Sequence, residues 1–257
     1  MKKIGSLYIF TYIFLMLVLS ISTSCTKTED LPGLGTEDLP GLGSAGGTVT
    51  VTDIDGNLYN TVKIGTQVWM VENLKTTKYK DGTAIPNVTD DTAWAALTTP
   101  AYCWYNNDDS THKATYGALY NWYTVNTGKL APAGWHVATD AEWTTLLNYV
   151  FTANLGTSGS VGKALAATVN WSASTFAGAI GNDLYKNNRT GFSALPGAGR
   201  YGINGGFYDL GRSGSWWTAT KFGTYSAWGR DMYYYDSDVS RYISAQTNGY
   251  SVRCLRD

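Results

Sequence analysis

The chain has 257 residues and a formal net charge of −1 at pH 7. A balance so close to neutral provides no strongly basic surface, so we expect no nucleic-acid partner. Aromatic residues make up 14% of the chain, with ten tryptophans and nineteen tyrosines, whereas charged residues make up only 15%. The chain therefore carries more large rings than a core alone needs, which is typical of a binding surface.

Residues 1–24 have the pattern of a secretory signal peptide. Lys2 and Lys3 give a positive start, and the apolar run over residues 8–21 is too short for a spanning helix. Small residues lead directly into Cys25, as in bacterial lipoprotein signals, whose cysteine is acylated and becomes the mature N-terminus. We therefore predict lipidation of Cys25, with the membrane as partner. The alternative is ordinary secretion with Cys25 incidental, because small residues also suit an ordinary signal peptidase.

Residues 25–47 are predicted to form a flexible tether. The octapeptide TEDLPGLG occurs twice in tandem over residues 28–43, and its Pro and Gly residues interrupt helix and strand alike. Acidic residues shortly after the lipidated cysteine resemble the surface-export signal of Bacteroidetes lipoproteins. This pattern favours an outer-membrane, lipid-anchored location with the domain exposed at the cell surface.

Residues 48–257 are long enough for one sizeable core and contain no second linker, which predicts a single domain. Residues 57–64 and 67–72 are rich in strand-forming side chains, and the Gly65–Thr66 pair between them predicts a hairpin. Further on, Asp81 and Gly82 predict a turn, and residues 101–105 predict a short strand.

A capping box predicts the main helix. Thr139 and Glu142 stand at the spacing at which each side chain satisfies the other's backbone amide, so a helix is expected over residues 140–151. Its buried face should carry Trp143, Leu146, Leu147 and Val150. After Phe176 the pattern indicates only strands and Gly-rich turns, and few helices followed by many antiparallel strands predict an α+β domain.

Six blocks of this sequence resemble the Fibrobacter succinogenes major paralogous domain, over roughly residues 53–257. They are DIDGNLYNTVKIGTQVWMVENLKTTKYKDGTAIP, AYCWYNNDD, YGALYNWYTVNTGKLAPAGWHVATDAEW, GFSALPGAGR, SWWTAT and GYSVRCLRD. The resemblance implies a secreted or lipid-anchored bacterial domain without an established biochemical role. GWHVATDAEW and GYSVRC are also similar to blocks of formylglycine-generating-type domains. That similarity implies a C-type-lectin-like fold with long Gly- and aromatic-rich loops, in which the first and last strands lie close together.

An enzymatic role is not predicted. The oxidase members of that superfold bind copper through two cysteines near the C-terminus, and here Cys254 has no neighbouring cysteine. His112, in a polar loop, and His136, which opens the strand before the main helix, are expected to be structural or merely exposed, because a catalytic histidine needs both an orienting partner and an adjacent nucleophile. The carboxylate pairs Asp108/Asp109 and Asp236/Asp238 leave a glycan-active hydrolase as the less favoured alternative.

A binding role is better supported, because sugars stack on aromatic rings and hydrogen-bond to amide and carboxylate groups. Two stretches mix such groups, one over residues 103–109 and one in the C-terminal strands, where three consecutive tyrosines cannot all face the core. The alternative for any single ring is that it belongs to the core. The predicted ligand-binding residues are Trp104, Tyr105, Asn106, Asn107, Asp108, Trp216, Trp228 and Tyr234.

No metal and no cofactor is predicted. Residues 53–57 imitate the start of an EF-hand loop, but Gly56 stands at the wrong position and Ile64 replaces the final glutamate, so a turn is favoured. The side-chain oxygens of residues 106–109 remain an alternative calcium site.

The function predicted from these observations is a non-enzymatic, lipid-anchored surface domain that binds glycan or another extracellular ligand. The alternative is a structural or adhesion module whose exposed rings contact proteins. A shallow groove with two or three coplanar exposed rings favours sugar, whereas a flat apolar patch favours protein.

A disulfide is predicted between Cys103 and Cys254. Both cysteines lie in blocks of the family resemblance, and an exported protein is exposed to an oxidising compartment. The alternative is that both are buried free thiols that act as small hydrophobic side chains.

Overall fold

A computed structural model describes residues 49–156 and 160–257 of the chain, and the predicted signal peptide, Cys25 and the whole tether lie outside them. Within these residues there are twelve strands and five helices. The strands are β1 (Thr50–Thr52), β2 (Leu58–Ile64), β3 (Gln67–Met70), β4 (Tyr102–Cys103), β5 (Leu119–Tyr120), β6 (Trp135–Val137), β7 (Gly199–Arg200), β8 (Phe207–Tyr208), β9 (Ser213–Phe222), β10 (Ser226–Tyr233), β11 (Ser240–Ala245) and β12 (Cys254–Arg256). The helices are α1 (Asp91–Ala95), α2 (Asp109–Tyr116), α3 (Trp122–Val125), α4 (Asp140–Thr152) and α5 (Val161–Leu165).

The largest sheet has five antiparallel strands in the order β1-β2-β3-β12-β6. The predicted hairpin is confirmed as β2 and β3. Its turn needs a glycine, because Gly65 has φ +61° and a Cβ there would lie 2.9 Å from the Tyr149 ring. The final strand β12 lies between β3 and β6, with Leu255 opposite Trp69 and Cys254 opposite Val137. The first and last strands therefore share one sheet.

The predicted main helix is confirmed as α4. Thr139 Oγ1 accepts from the Glu142 amide at 3.2 Å, and Glu142 Oε2 accepts from the Thr139 amide at 2.7 Å, so the capping box is formed. Trp143, Leu146 and Val150 are buried as predicted, whereas Leu147 is half-buried. Trp143 packs edge to face against Trp69, with centroids 5.2 Å apart, which fixes α4 on the large sheet.

Helix α2 was missed by the sequence analysis, which predicted a polar loop around His112. The predicted strand over residues 101–105 is also shorter in the structure, because the chain leaves β4 at Trp104 and turns at Asn106 and Asn107, both with positive φ. Asn tolerates this conformation better than other side chains, so the turn is local in origin. Asp53 Oδ1 accepts from the amides of Asp55 and Asn57, and the predicted turn there is confirmed.

A second sheet of three antiparallel strands has the order β11-β10-β9. Asp231 on β10 lies opposite Ser215 on β9 and Ser240 on β11, and Tyr233 lies opposite Ser213. Apart from a short 3-10 turn at Leu184–Lys186, the elements after Phe176 are strands, as predicted. A few helices with mainly antiparallel strands make this an α+β fold. Among the described residues, no helix is both long and apolar enough to cross a membrane.

The predicted disulfide is wrong: Cys103 and Cys254 are both free and buried. Cys103 packs with Trp94 and Ala198 in a small cluster, whereas Cys254 belongs to a different and larger cluster under β12. Burial raises the pKa of the Cys103 thiol to about 12 and also raises that of Cys254. Both therefore act as small hydrophobic side chains, which was the alternative left open by the sequence.

Candidate functional site

Three of the rings predicted to bind ligand are buried and correct that prediction. Trp104 is 5% exposed and Tyr105 is 9% exposed. The Trp104 ring packs edge to face on Tyr102 at 5.4 Å, and Tyr105 packs on Phe207 at 5.3 Å. Trp216 has no exposed surface, and its indole N–H donates to Asn73 Oδ1 at 2.9 Å. A ligand cannot reach these rings without unpacking the core.

The polar residues that follow Trp104 and Tyr105 lie at the surface, but two of their side chains form hydrogen bonds that stabilise the local backbone. Asp108 caps helix α2: its Oδ1 accepts from Ser110 Oγ at 2.6 Å and from the Thr111 amide at 3.1 Å. These bonds lower the pKa of Asp108 to about 2. Asn107 Nδ2 donates to the Thr89 carbonyl at 2.9 Å. With the two rings turned inward, Asn106, Asn107 and Asp108 have no neighbouring ring from their own segment on which a sugar could stack.

Trp228 is half-buried on the outer part of β10. Its ring carries the guanidinium of Arg241, 3.3 Å from the ring centroid, and Phe222 meets it edge to face at 5.1 Å. Arg241 is fixed by Asp140, which accepts from it through both oxygens. One face of Trp228 is therefore covered by the protein itself.

Tyr234 lies at a pocket. Tyr233, Tyr234 and Tyr235, at and just beyond the end of β10, line it together with Asp209 and Arg212, and its volume is about 190 Å³. Tyr235 is 49% exposed. The rings of Tyr234 and Tyr235 are nearly perpendicular, at 84° with centroids 5.3 Å apart, whereas those of Tyr233 and Tyr235 are stacked at 21° and 5.5 Å. Tyr234 and Tyr235 therefore do not form the coplanar pair that the sequence analysis expected of a sugar groove.

The pocket is built by two segments that the backbone joins. The Tyr234 amide donates to the Arg212 carbonyl at 2.8 Å, which brings the end of β10 beside the turn before β9. That turn closes on Asp209, whose carbonyl accepts from the amides of Arg212 and Ser213. Asp209 has φ +54°, a conformation that costs energy for a residue other than glycine, although Asp and Asn adopt it more readily than most.

The charged groups of the pocket are available to a ligand. Asp209 and Arg212 are both exposed, and neither side chain makes a hydrogen bond or ion pair within residues 49–156 and 160–257. A carboxylate offers two acceptor oxygens, and a guanidinium offers a planar fork of donors. The pocket thus combines aromatic faces with an acceptor and a donor that no protein group occupies.

A buried carboxylate lies behind the pocket. Asp231 is 8% exposed, its Oδ2 accepts from the Tyr233 hydroxyl at 3.1 Å, and its Oδ1 has no partner among the described atoms. Burial raises the pKa of Asp231 to about 6, although the hydrogen bond from Tyr233 opposes the rise. Tyr233 therefore connects the pocket to a carboxyl group whose pKa is raised by burial.

Sequence reasoning missed Asp209, Arg212, Tyr233 and Tyr235 as site residues. The run of three tyrosines was a signal for Tyr235, because side chains alternate across a strand and at least one ring had to leave the core. No sequence signal pointed to Asp209 or Arg212, since their position beside the tyrosines depends on the pairing of β9 with β10.

Other chemistry-bearing groups do not form a comparable site. A pocket of about 240 Å³ includes Glu72 and Ser193 but no aromatic ring. His136 lies between Asp257 Oδ1 at 2.6 Å and Glu142 Oε1 at 2.8 Å. Burial lowers the pKa of His136, but these two hydrogen bonds outweigh it and raise the pKa overall. In the part of the chain that the structure describes, no group of three or more His, Cys, Asp or Glu residues could hold a metal ion.

Comparison with known proteins gives one finding. The family model described as the Fibrobacter succinogenes major domain matches residues 62–256. No curated protein and no solved structure matches the chain.

Proposed function

The chain belongs to the Fibrobacter succinogenes major domain family, and from this premise we propose that it is a lipid-anchored bacterial surface protein that binds a glycan or another extracellular ligand without transforming it. The membrane is its partner through Cys25, and the ligand site is the tyrosine pocket formed by Asp209, Arg212 and Tyr233 to Tyr235. No nucleic acid, metal or cofactor takes part.

The observation that carries the proposal is the coincidence of accessible rings with unoccupied polar groups. Tyrosine gives a large and rigid stacking face at low entropic cost, which suits the C–H faces of a sugar. Asp209 and Arg212 supply an acceptor and a donor at the same pocket, and neither is used by the protein within the described residues. Ligand sites typically combine apolar or aromatic walls with a few placed polar groups.

A glycan array tests the proposal on purified protein comprising residues 48–257. We expect binding that Tyr235→Ala weakens by about 1 to 3 kcal/mol, the range for lost stacking and burial. The control is Tyr225→Ala, because Tyr225 is 80% exposed but precedes β10 at the end opposite the pocket, roughly 25 Å away along the strand. Equal losses in the two variants, or no binding to any glycan, would contradict the proposal. A ligand recovered in cleaved form would favour the hydrolase alternative.

A second candidate function is contact with other proteins. Phe222 and Ile243 are exposed, and both adjoin Trp228, Phe222 by ring contact and Ile243 as its cross-strand partner. This apolar patch lies toward the end of the three-stranded sheet away from the pocket. If Ile243→Asp abolishes attachment of the domain to intact cells while Tyr235→Ala does not, protein contact is the favoured function.

The anchor rests on Cys25, which lies outside the described residues. Metabolic labelling with a palmitate analogue should tag the wild type, and Cys25→Ala should lose both the label and the membrane fraction. Wild-type protein without label would refute the lipoprotein proposal. Digestion of the domain by protease added to intact cells, compared with lysed cells, tests its exposure at the cell surface.

The proposed architecture is C-type-lectin-like. It is supported by the few helices and by the final strand, which pairs with β3 in the sheet of the first strands. Superposition of an experimental structure of residues 48–257 on a C-type-lectin domain tests it, and a different strand order would exclude it.

A further inference from the structure

We propose that the tyrosine pocket receives a single sugar ring, either a free monosaccharide or the terminal residue of a glycan, and not the interior of a polysaccharide chain. This inference rests on the proposed glycan-binding function and specifies its ligand class.

The size of the pocket limits what it can enclose. Its volume of about 190 Å³ is below the roughly 300–1,000 Å³ of sites that enclose drug-sized ligands. A pocket of this size has room for one substituted ring. The next residue of a chain has to lie outside it.

The orientation of the rings also favours a single sugar. A continuous polysaccharide needs aromatic faces that lie side by side along one plane, so that successive sugars can stack on them. Here Tyr234 and Tyr235 stand at 84° to each other, so their rings cannot form one plane. Tyr233 and Tyr235 are stacked on each other, so they present a layered wall and not an extended floor. Two tyrosine rings at right angles can contact one face and one edge of a single sugar ring.

The polar groups of the pocket match a ring with several free hydroxyls. The two oxygens of Asp209 can accept from adjacent hydroxyls of one ring, and Arg212 can donate to a further oxygen of the same ring. Hydroxyls that are free of glycosidic bonds are most numerous on a terminal residue or a monosaccharide. A residue inside a chain has two of its positions blocked by linkages.

The substitution Asp209→Asn tests how much the Asp209 carboxylate contributes to binding affinity. Asn also adopts positive φ readily, so the turn that closes on the Asp209 carbonyl is retained, while the charge and one acceptor are lost. Hydrogen bonds to charged groups contribute about 1.5 to 3 kcal/mol, so we expect roughly 10-fold to 150-fold weaker binding. Asp183→Asn is the matched control, because Asp183 also has positive φ, is not part of the pocket, and forms only an exposed ion pair with Lys186 among the described residues.

The experiment measures affinities by isothermal titration for wild type, Asp209→Asn, Asp183→Asn and Tyr235→Ala. The probes are the methyl glycosides of glucose, galactose, mannose, xylose and N-acetylglucosamine, and linear oligosaccharides of increasing length with the same terminal residues. We expect the methyl glycoside of the preferred residue to bind within about 10-fold of its oligosaccharides, and Asp209→Asn to weaken both equally, by at least roughly 10-fold.

The outcomes separate this inference from the proposed function. Affinity that rises more than about 10-fold with chain length, with loss of binding in Tyr235→Ala, would overturn single-ring recognition and leave glycan binding at the pocket in place. Unchanged affinity in Asp209→Asn would also overturn it. If none of the glycans binds, or if Tyr235→Ala leaves the affinity unchanged, the proposed function itself fails.

Discussion

Two segments of this protein have similar composition, but the rings of one are buried in the core and those of the other lie at a pocket. The Trp104–Asp109 segment and the Tyr233–Asp236 segment both place aromatic rings beside Asn or Asp. In the first, the rings are core and the carboxylate of Asp108 caps a helix. In the second, Tyr235 is half exposed and the rings line a pocket.

The difference arises from the backbone structure at the end of each segment. The chain after Trp104 turns within three residues and starts helix α2, so its polar groups are needed to close the turn and cap the helix. The chain after Tyr233 runs off the end of a strand, where side chains that alternate across the sheet no longer have a core on both sides. The polar neighbour does not decide the outcome, because Asp236 Oδ1 also accepts from a backbone amide, that of Ser237, at 2.6 Å. Whether a ring is free to bind depends instead on whether the backbone directs it into the core.

The largest expected effect is on stability. Trp104→Ala should lower the free energy of unfolding by about 3 to 5 kcal/mol, because it leaves a cavity in the core, whereas Tyr235→Ala should change it by less than about 1 kcal/mol. Urea denaturation of both variants measures the difference. Similar losses in the two variants would remove the distinction between the segments.

The next effect concerns the buried carboxylate behind the pocket. Burial raises the pKa of Asp231 from 3.8 to about 6, so the native state binds more protons than the unfolded state between these values. The free energy of unfolding contributed by this group is therefore highest below pH 3.8 and falls as pH rises through about 6, by up to about 3 kcal/mol. Asp231→Asn should abolish this loss.

The measurement is urea denaturation of wild type and Asp231→Asn at pH 4 and pH 8. We expect the variant to gain stability relative to wild type at the higher pH, because the titration of other groups cancels in the difference. The same difference at both pH values would show that Asp231 titrates normally.

A smaller effect of opposite sign is expected at Asp108. Hydrogen bonds from Ser110 and Thr111 lower its pKa to about 2, so its contribution is present above pH 3.8 and is lost as pH falls through about 2. Asp108→Ala should lower the melting temperature of the domain, whereas Asp108→Asn should preserve most of it, because Asn is also a good helix cap. Thermal unfolding followed by circular dichroism distinguishes the two. An equal fall in both variants would refute the capping role.

The smallest expected effect is that of a reducing agent. Because Cys103 and Cys254 are free and lie in different clusters, dithiothreitol should leave the urea midpoint of residues 48–257 unchanged. Titration with a thiol reagent should find both thiols in unfolded, unreduced protein and almost none in native protein. A urea midpoint that falls when dithiothreitol is added would support the Cys103–Cys254 disulfide that the sequence predicted. It would also contradict the packing described for the segment around Trp104.

Much of the fold could be predicted from local patterns. The capping box of Thr139 and Glu142 predicted α4, and the Gly65 turn predicted the β2–β3 hairpin, because both depend on residues adjacent in sequence. Helix α2 was missed because its sequence is mostly polar and no residue in it is buried. Without an apolar stripe, periodicity gives no signal.

The binding residues were harder to predict. Composition indicated a surplus of rings, and the tyrosine run indicated that one of them is exposed. Which tryptophans are core could not be inferred, because Trp104 and Trp216 have no local pattern that distinguishes them from exposed rings. Asp209 and Arg212 become neighbours of Tyr234 only through backbone pairing between segments distant in sequence.

The sequence by itself determined the family, the α+β class, the hairpin and the capped helix, since each is encoded by residues within a few positions or by blocks that keep their order. Only the tertiary structure decided that both cysteines remain apart, that the Trp104 segment packs inward and that the Tyr233–Tyr235 segment opens onto a pocket. The physical reason is that burial and side-chain pairing depend on contacts between segments distant in sequence. The folded state is stabilised most where those contacts remove the most apolar surface from water.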